Sequence, residues 1–134
     1  MKIIPILLSI VLLIAGCGPC NDMTEVLVEK KVFGKNSFSI DSTDGFFAIS
    51  KDLAQQKIKF MVEFENPTIE EVCITTILSY PDWETHRYCQ NMKDDPTPPG
   101  VIIPLSHLGN VDNSTYDRML ESTNFKVTFK QSCS

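Results

Sequence analysis

The sequence predicts an all-β fold, an antiparallel β-sandwich with one short helix; a small β-barrel is the alternative. Residues Gln56 to Glu65 alternate between apolar and polar side chains, which is typical of a strand with one buried face. About seven or eight short segments of β-type composition are separated by turn residues at fairly regular spacing. Three prolines between Lys93 and Gly100 exclude that stretch from a central strand.

The chain begins with a short positive segment followed by an apolar one. Lys2 precedes the apolar run Ile3 to Leu13, and small residues follow the run up to Cys17. This order is typical of a cleaved secretory signal peptide. The run is too short for a transmembrane helix, which needs ~20 apolar residues. The predicted boundaries are a signal peptide at 1–16, a tether at 17–23 and the β-sandwich domain at 24–134.

The ending Ile14-Ala15-Gly16-Cys17 resembles the lipobox of bacterial lipoproteins. The resemblance implies a lipid on the Cys17 sulfur, cleavage before Cys17, and acylation of the new N-terminus by chains such as palmitate. Gly18 stands where an aspartate would imply retention at the inner membrane of Gram-negative bacteria. The resemblance therefore implies the periplasmic face of the outer membrane, with the cell membrane as the alternative. An ordinary signal peptide with an incidental cysteine is the competing interpretation.

Three strands are predicted in the first part of the domain. β-Branched residues dominate Thr24 to Phe33, and Ser37 to Ile40 alternates polar and apolar residues. Asp41 to Gly45 has the composition of a turn, and Phe46 to Ser50 is the third strand. Ser50 to Gln56 is compatible with one helical turn.

Three further strands are predicted to supply the core. Gln56 to Glu65 has one apolar face, and Glu71 to Tyr80 is so rich in β-formers that both of its faces are expected to be covered. Asn124 to Gln131 alternates again. The predicted core consists of Ile58, Phe60, Val62, Phe64, Val72, Ile74, Leu78, Phe125, Val127 and Phe129.

The segment between these strands contains a reversal, a loop and an edge strand. His86 to Met92 is a shorter strand after the reversal, and Lys93 to Gly100 is an extended loop. Val101 to Leu105 returns to the core, and Pro104 favours an edge position because proline cannot donate a ladder hydrogen bond.

One short helix is predicted from Thr115 to Glu121. The sequence Ser114 to Asp117 resembles a capping box, with Ser114 as the N-cap. Tyr116, Met119 and Leu120 would share one face of this helix.

The C-terminal part of the chain is similar to the end of many immunoglobulin-like domains. The similarity rests on Pro98-Pro99-Gly100, the apolar run to Leu105, Tyr116 and the strand Phe125 to Phe129, about a quarter of the chain. It implies an immunoglobulin-like β-sandwich. Trp83 falls in a turn instead of at the core position of the antibody tryptophan.

The five cysteines are expected to serve two purposes. If lipid occupies Cys17, as the lipobox resemblance implies, four cysteines remain, and an even number in an oxidising compartment predicts two disulfides. Three connectivities are possible, and we favour Cys73–Cys89 and Cys20–Cys133. Cys73 and Cys89 flank one reversal, whereas Cys20 precedes the first strand and Cys133 follows the last.

The hairpin that carries Cys73 and Cys89 needs an irregularity if it is centred on Trp83. That centre would place Cys73 opposite residues near position 93. The favoured disulfide therefore predicts an offset or a bulge in this hairpin.

No motif in the sequence indicates catalysis, a metal or a cofactor, so we expect none of these. His86 could pair with Glu84 or Asp82 and act as a base, but the commoner role is a solvated histidine at a turn, and no credible nucleophile accompanies it. His107 is expected to be a half-buried structural residue.

Three aspartates, Asp94, Asp95 and Asp112, offer a weak calcium-binding interpretation. Their spacing lacks the regular oxygen ligands of a calcium loop, so a solvated acidic loop is the expected state.

The candidate partner-binding residues are Trp83, Asp82 and Glu84. The only tryptophan lies at a reversal, where an exposed aromatic ring can anchor a partner. The competing interpretation is that Trp83 folds back over the end of the sandwich. The rigid loop Lys93 to Gly100 is a second candidate, because it loses little entropy on binding.

The function expected from the sequence is non-enzymatic protein binding. The formal net charge of −5 disfavours nucleic acid as a partner and suits a basic protein. An inhibitor or immunity protein against a toxin or wall-degrading enzyme fits these features. The alternatives are an accessory component of an envelope or secretion assembly, a small hydrolase using His86, and a purely structural surface protein.

Overall fold

The structure is a computed structural model that describes residues 23–65, 68–80 and 82–132, without the side chain of His107. These residues form eight strands, one α-helix and the short 3-10 helix Ser106–Leu108. The strands are β1 (Thr24–Val28), β2 (Gly34–Ile40), β3 (Thr43–Asp52), β4 (Lys57–Phe64), β5 (Ile69–Leu78), β6 (Glu84–Asn91), β7 (Gly100–Pro104) and β8 (Thr123–Gln131). The helix, α1, is Asn113–Ser122.

The strands form two separate antiparallel sheets. The strand order is β1-β8-β5-β6 in one sheet and β2-β3-β4-β7 in the other. In the described part of the chain, no ladder joins the two sheets into a closed barrel, so the predicted β-sandwich is confirmed over the barrel alternative. β7 is the last strand of its sheet, as predicted from Pro104.

Aromatic rings join the two sheets at the centre of the sandwich. The Phe60 ring on β4 stacks on the Phe125 ring on β8, with the ring centroids 4.2 Å apart and an interplanar angle of 7°. The Phe64 and Phe129 rings make a second contact between the sheets at 4.9 Å. The predicted core is confirmed, except that Phe64 is half-buried at its margin.

The hairpin between β2 and β3 is tighter than predicted. Its loop is Asp41-Ser42, with φ angles of 50° and 63°. Two consecutive residues with positive φ match a type I′ turn, whose twist suits a two-residue hairpin. The expected turn to Gly45 is therefore wrong, because β3 already begins at Thr43.

Two other boundary predictions are also wrong. β3 continues to Asp52, and residues 53–56 form a turn instead of belonging to a helical turn from Ser50. β1 ends at Val28, before the predicted end at Phe33.

Lys31, in the segment after β1, contacts the C-terminal end of α1. Its Nζ donates to the carbonyl oxygens of Glu121 and Thr123, each at 2.7 Å. A cation at a helix C-terminus satisfies the last carbonyls and interacts favourably with the helix dipole. Partial burial lowers the pKa of the Lys31 ammonium, and the Glu121 carboxylate opposes that shift.

The N-cap of α1 is Asp112, and the prediction of Ser114 is wrong. The Asp112 carboxylate accepts hydrogen bonds from the Thr115 backbone N–H at 2.8 Å and from the Thr115 hydroxyl at 2.9 Å. These bonds lower the pKa of Asp112, the backbone bond contributing most. The helix therefore begins two residues earlier than the capping box suggested.

The predicted disulfide Cys73–Cys89 is confirmed. The two cysteines are directly opposite each other in the β5–β6 ladder, which also pairs Leu78 with Glu84. The loop is therefore residues 79–83, so the hairpin centre lies two residues before Trp83. The expected offset from Trp83 is therefore confirmed, and the β5–β6 register has no bulge.

Several predictions lie outside the described residues. These are the signal peptide at 1–16, the lipidation of Cys17, the membrane anchor and the disulfide Cys20–Cys133. Among the described residues, no helix combines the length and apolar character that a bilayer crossing requires.

Candidate functional site

Trp83 is solvent-exposed at the tip between β5 and β6. Its exposed fraction is 75 %, so the interpretation that it folds back over the sandwich is wrong. Asp82 and Glu84, its neighbours in sequence, are also exposed. The structure thus brings the three predicted partner-binding residues together on one exposed reversal.

A groove of about 530 Å³ lies beside this reversal, between the edge strands β6 and β7. We call it the β6–β7 groove. Its volume lies within the roughly 300–1,000 Å³ typical of ligand pockets. The groove is lined chiefly by Thr76, Leu78, Glu84, His86, Tyr88 and the strand Gly100–Pro104.

The groove exists because one sheet extends beyond the other. On the inner face of β6, Glu84 and His86 are exposed, whereas their cross-strand partners on β5 are buried: Glu84 is opposite Leu78, and His86 is opposite Thr76. The second sheet therefore ends at its edge strand β7, which covers β5 and does not reach over β6. The inner face of β6 is left uncovered and lies beside the free edge of β7.

Thr76 places an unpartnered hydroxyl in the wall of the groove. The residue is 2 % exposed, and its Oγ1 has no hydrogen-bond partner. A buried polar atom without a partner costs about 1–3 kcal/mol. Because the Thr76 Oγ1 has almost no accessible surface, the residue lines the groove without presenting its hydroxyl to a ligand.

The reversal end of the groove is acidic. Asp82 and Glu84 both line the groove, and the His86 Nε2 lies 2.9 Å from a Glu84 carboxylate oxygen. The side chains of His86 and Glu84 are both more than half exposed, so this contact contributes little to stability. Two carboxylates beside one histidine favour a cationic ligand group here.

The contacts around His86 show whether this histidine could activate a neighbouring hydroxyl as a nucleophile. Thr76 is the hydroxyl residue opposite His86, yet its Oγ1 has no hydrogen-bond partner. The nucleophile–base hydrogen bond that activates a hydroxyl is therefore not formed between these residues.

Gln90 attaches the proline-rich loop to β6. Its Nε2 donates to the carbonyl oxygens of Asp95 at 2.8 Å and Thr97 at 2.6 Å, and its Oε1 accepts from the Tyr88 hydroxyl at 3.0 Å. The loop is thereby held at the end of the groove opposite Glu84. The sequence analysis missed Gln90, although its inward position in the alternation of β6 marks it as a buried polar residue.

The acidic residues considered for calcium have local structural roles. The Asp95 carboxylate accepts hydrogen bonds from the Thr97 hydroxyl and backbone N–H, which lower the pKa of Asp95. Asp112 caps α1, and Asp94 is exposed in the loop.

Glu71, Cys73 and Cys89 place their ligand-type atoms within 4.8 Å of one another. The two sulfurs are joined in a disulfide, so neither is a thiolate that could bind a metal ion.

Comparison with known proteins gives no functional assignment. No family model matches the chain, and no curated protein or solved structure matches it significantly.

Proposed function

We propose that this protein is a non-enzymatic binding module, anchored by lipid on Cys17 to the periplasmic face of the outer membrane. Its partner is a protein. In this proposal it acts as an inhibitor or immunity protein that blocks a toxin or a wall-degrading enzyme.

The observation that carries the proposal is a highly exposed tryptophan beside a groove that is already open. Trp83 can anchor a partner at the tip, while the β6–β7 groove accepts part of that partner. The acidic residues Asp82 and Glu84 and the net charge of −5 favour a basic partner.

The position of the first strand supports a role at a membrane surface. In the sheet register, Thr24 lies level with Val72, and Glu84 lies level with Leu78. Six residues of strand separate these levels, a distance of roughly 20 Å at about 3.4 Å per residue. A chain anchored through residues just before Thr24 would therefore direct the Trp83 reversal away from the membrane.

The partner is identified by photo-crosslinking in cells. Trp83 is replaced by p-benzoylphenylalanine, and the control carries the same group at Leu27, which is 59 % exposed on the far edge strand β1. We expect one basic hydrolase or toxin to crosslink from position 83 and not from position 27. Several envelope proteins would indicate the accessory-component alternative, and equal crosslinking from both positions would contradict the binding proposal.

The anchor is tested by Cys17→Ser, with Cys20→Ser as the matched control. Wild type and Cys20→Ser should enter the detergent phase of a Triton X-114 partition and band with outer membranes in a density gradient. Cys17→Ser should accumulate as an uncleaved or soluble precursor. If it migrates and fractionates like wild type, lipidation of Cys17 is wrong.

A further inference from the structure

We propose that the β6–β7 groove binds an extended segment of the partner as a fifth strand of the β2-β3-β4-β7 sheet. The segment pairs with the free edge of β7, lies on the inner face of β6, and places a cationic side chain beside Asp82 and Glu84. This inference rests on the proposed binding function and specifies the partner's conformation and chemistry.

Two hydrogen bonds define which backbone groups of β7 are already used. The Leu105 N–H donates to the Gln56 carbonyl at 2.7 Å, and the Val62 N–H donates to the Pro99 carbonyl at 3.0 Å. Both pairs belong to the register of the β4–β7 ladder. Because hydrogen-bonded and non-hydrogen-bonded pairs alternate in an antiparallel ladder, the odd-numbered residues of this segment bond to β4.

The even-numbered residues of β7 therefore direct their backbone groups toward the groove. Gly100 and Ile102 each offer an N–H and a carbonyl, and Pro104 offers a carbonyl alone. β7 pairs only with β4 among the described strands, so this edge is free there. An extended peptide can add to such an edge through main-chain hydrogen bonds.

The uncovered inner face of β6 supplies the surface against which the added strand packs. Tyr88 and His86 face the groove from β6, and Leu78 contributes an apolar patch from β5. Thr76 also lines this space, although its hydroxyl is buried. A strand here would cover the apolar part of the surface.

The acidic residues of the groove indicate which end of the added strand carries the cationic side chain. Gln90 holds the carbonyl of Thr97, so the Gly100 end of β7 lies beside the Gln90 end of β6. Because β6 and β7 run in opposite directions along the groove, Pro104 lies toward Glu84. A lysine or arginine near the Pro104 end of the added strand would therefore meet Asp82 and Glu84.

The test uses a phage-displayed library of random nine-residue segments, selected on the purified full-length protein in detergent. The selected segments are then synthesised as blocked peptides, and their affinity is measured. We expect alternating apolar residues with a lysine or arginine toward one end. Binding should shift the NMR amide signals of Gly100 and Ile102.

The decisive variant is Ile102→Pro, compared with Ile102→Ala. Ile102 and Lys59 form a non-hydrogen-bonded pair, so proline removes an outward N–H without removing a bond to β4. We expect Ile102→Pro to weaken peptide binding about tenfold, as the loss of one good hydrogen bond implies, and Ile102→Ala to weaken it less than about threefold.

Two further variants separate binding from folding. Ser37→Pro puts the same residue on the opposite edge of the same sheet, and peptide affinity should be unchanged. Thr76→Val removes the unpartnered hydroxyl while keeping the side-chain shape. It should leave peptide affinity unchanged and should not lower the Tm, because the hydroxyl is buried away from the ligand and bonds to no described protein group.

Several results would overturn the strand-addition proposal. These are selected peptides that bind Ile102→Pro as well as wild type, a selection that yields no binder, and peptides without alternation or a cation. A wild-type dimer that becomes monomeric in Ile102→Pro would identify a second copy of the chain as the occupant, which also contradicts a separate partner.

The two proposals fail separately. If a native partner crosslinks at position 83 and its binding survives Ile102→Pro, strand addition is wrong and the binding function stands. If the peptides bind as described but no native partner crosslinks, the groove chemistry stands and the proposed function is wrong.

Discussion

Phe60→Ala should destabilise the domain by about 4 kcal/mol. The Phe60 side chain is wholly buried and stacks on Phe125 across the two sheets. Replacing the ring removes roughly 100 Å² of buried apolar side-chain surface. The lost transfer free energy is about 2.5 kcal/mol at about 25 cal/mol per Å². The cavity and the lost ring stacking add about 1–2 kcal/mol, which agrees with the roughly 3–5 kcal/mol typical of this substitution.

Urea unfolding monitored by circular dichroism measures this loss directly. The slope of the transition should stay constant while its midpoint falls, because stability and not compactness changes. At about 4 °C per kcal/mol for a domain of this size, the Tm should fall by roughly 16 °C.

The matched control is Phe46→Ala, the same substitution on the outer face of the same sheet. Phe46 is half-buried and has the Lys35 Nζ 3.7 Å from its ring centroid. We expect a loss of about 1 kcal/mol. A loss of stability below about 1 kcal/mol for Phe60→Ala, or equal losses for the two variants, would refute the central place of Phe60 in the core.

Three further predictions concern elements around the core. Replacing both Cys73 and Cys89 by alanine should cost about 3 kcal/mol, because the disulfide closes a loop with a sequence separation of 16; a chemically reduced wild type that keeps its full stability would contradict this. Asp112→Ala should lower the Tm at neutral pH, whereas Ser114→Ala should not. The hydrogen bonds to the Asp112 carboxylate lower its pKa from the ordinary value of 3.8, so its contribution is present above 3.8 and is lost as the pH falls through the lowered pKa. Melting curves at neutral and acidic pH measure this, and an equal Tm difference at both would oppose it. Gln90→Ala should cost about 2 kcal/mol through three lost hydrogen bonds, two of them to the loop, and increase hydrogen exchange in residues 93–99; unchanged exchange there would be inconsistent with its role in holding the loop.

The sandwich could be predicted because the strands carry their burial pattern in the sequence. The alternation from Ile58 to Phe64 states which side of β4 faces the core, and a shift by one residue would expose every one of these apolar side chains. The β-formers from Glu71 to Tyr80 likewise indicated a strand, β5. The expectation that both of its faces are covered is only partly met, because Thr75 and Ile77 on the second face are half-buried.

Local competition between similar residues explains the error at the helix. Asp112 and Ser114 are both good N-caps, and the hydrogen bonds of Thr115 decide between them in three dimensions. At the β5–β6 reversal, the favoured disulfide correctly excluded Trp83 as the centre, and the ladder from Cys73–Cys89 to Leu78–Glu84 places the centre two residues earlier.

The groove could not be predicted, because it depends on how far each sheet extends sideways. Nothing in the sequence near Thr76 indicates that this residue would line a groove beside β7. The sequence identified Trp83, Asp82 and Glu84 as exposed, but their position beside the free edge of β7 comes from residues distant in the chain.

The place of β8 in its sheet determines when the domain can form during synthesis. β8, the last strand of the described chain, lies between the first strand, β1, and β5. The other sheet draws all of its strands from residues 34–104, so its hydrogen bonds can form once those residues are free of the ribosome. β1 has no ladder partner until residues 123–131 emerge, and its pairing then closes a loop spanning nearly the whole domain, which is a slow step. A nascent chain therefore stays incompletely folded until the last described strand is made.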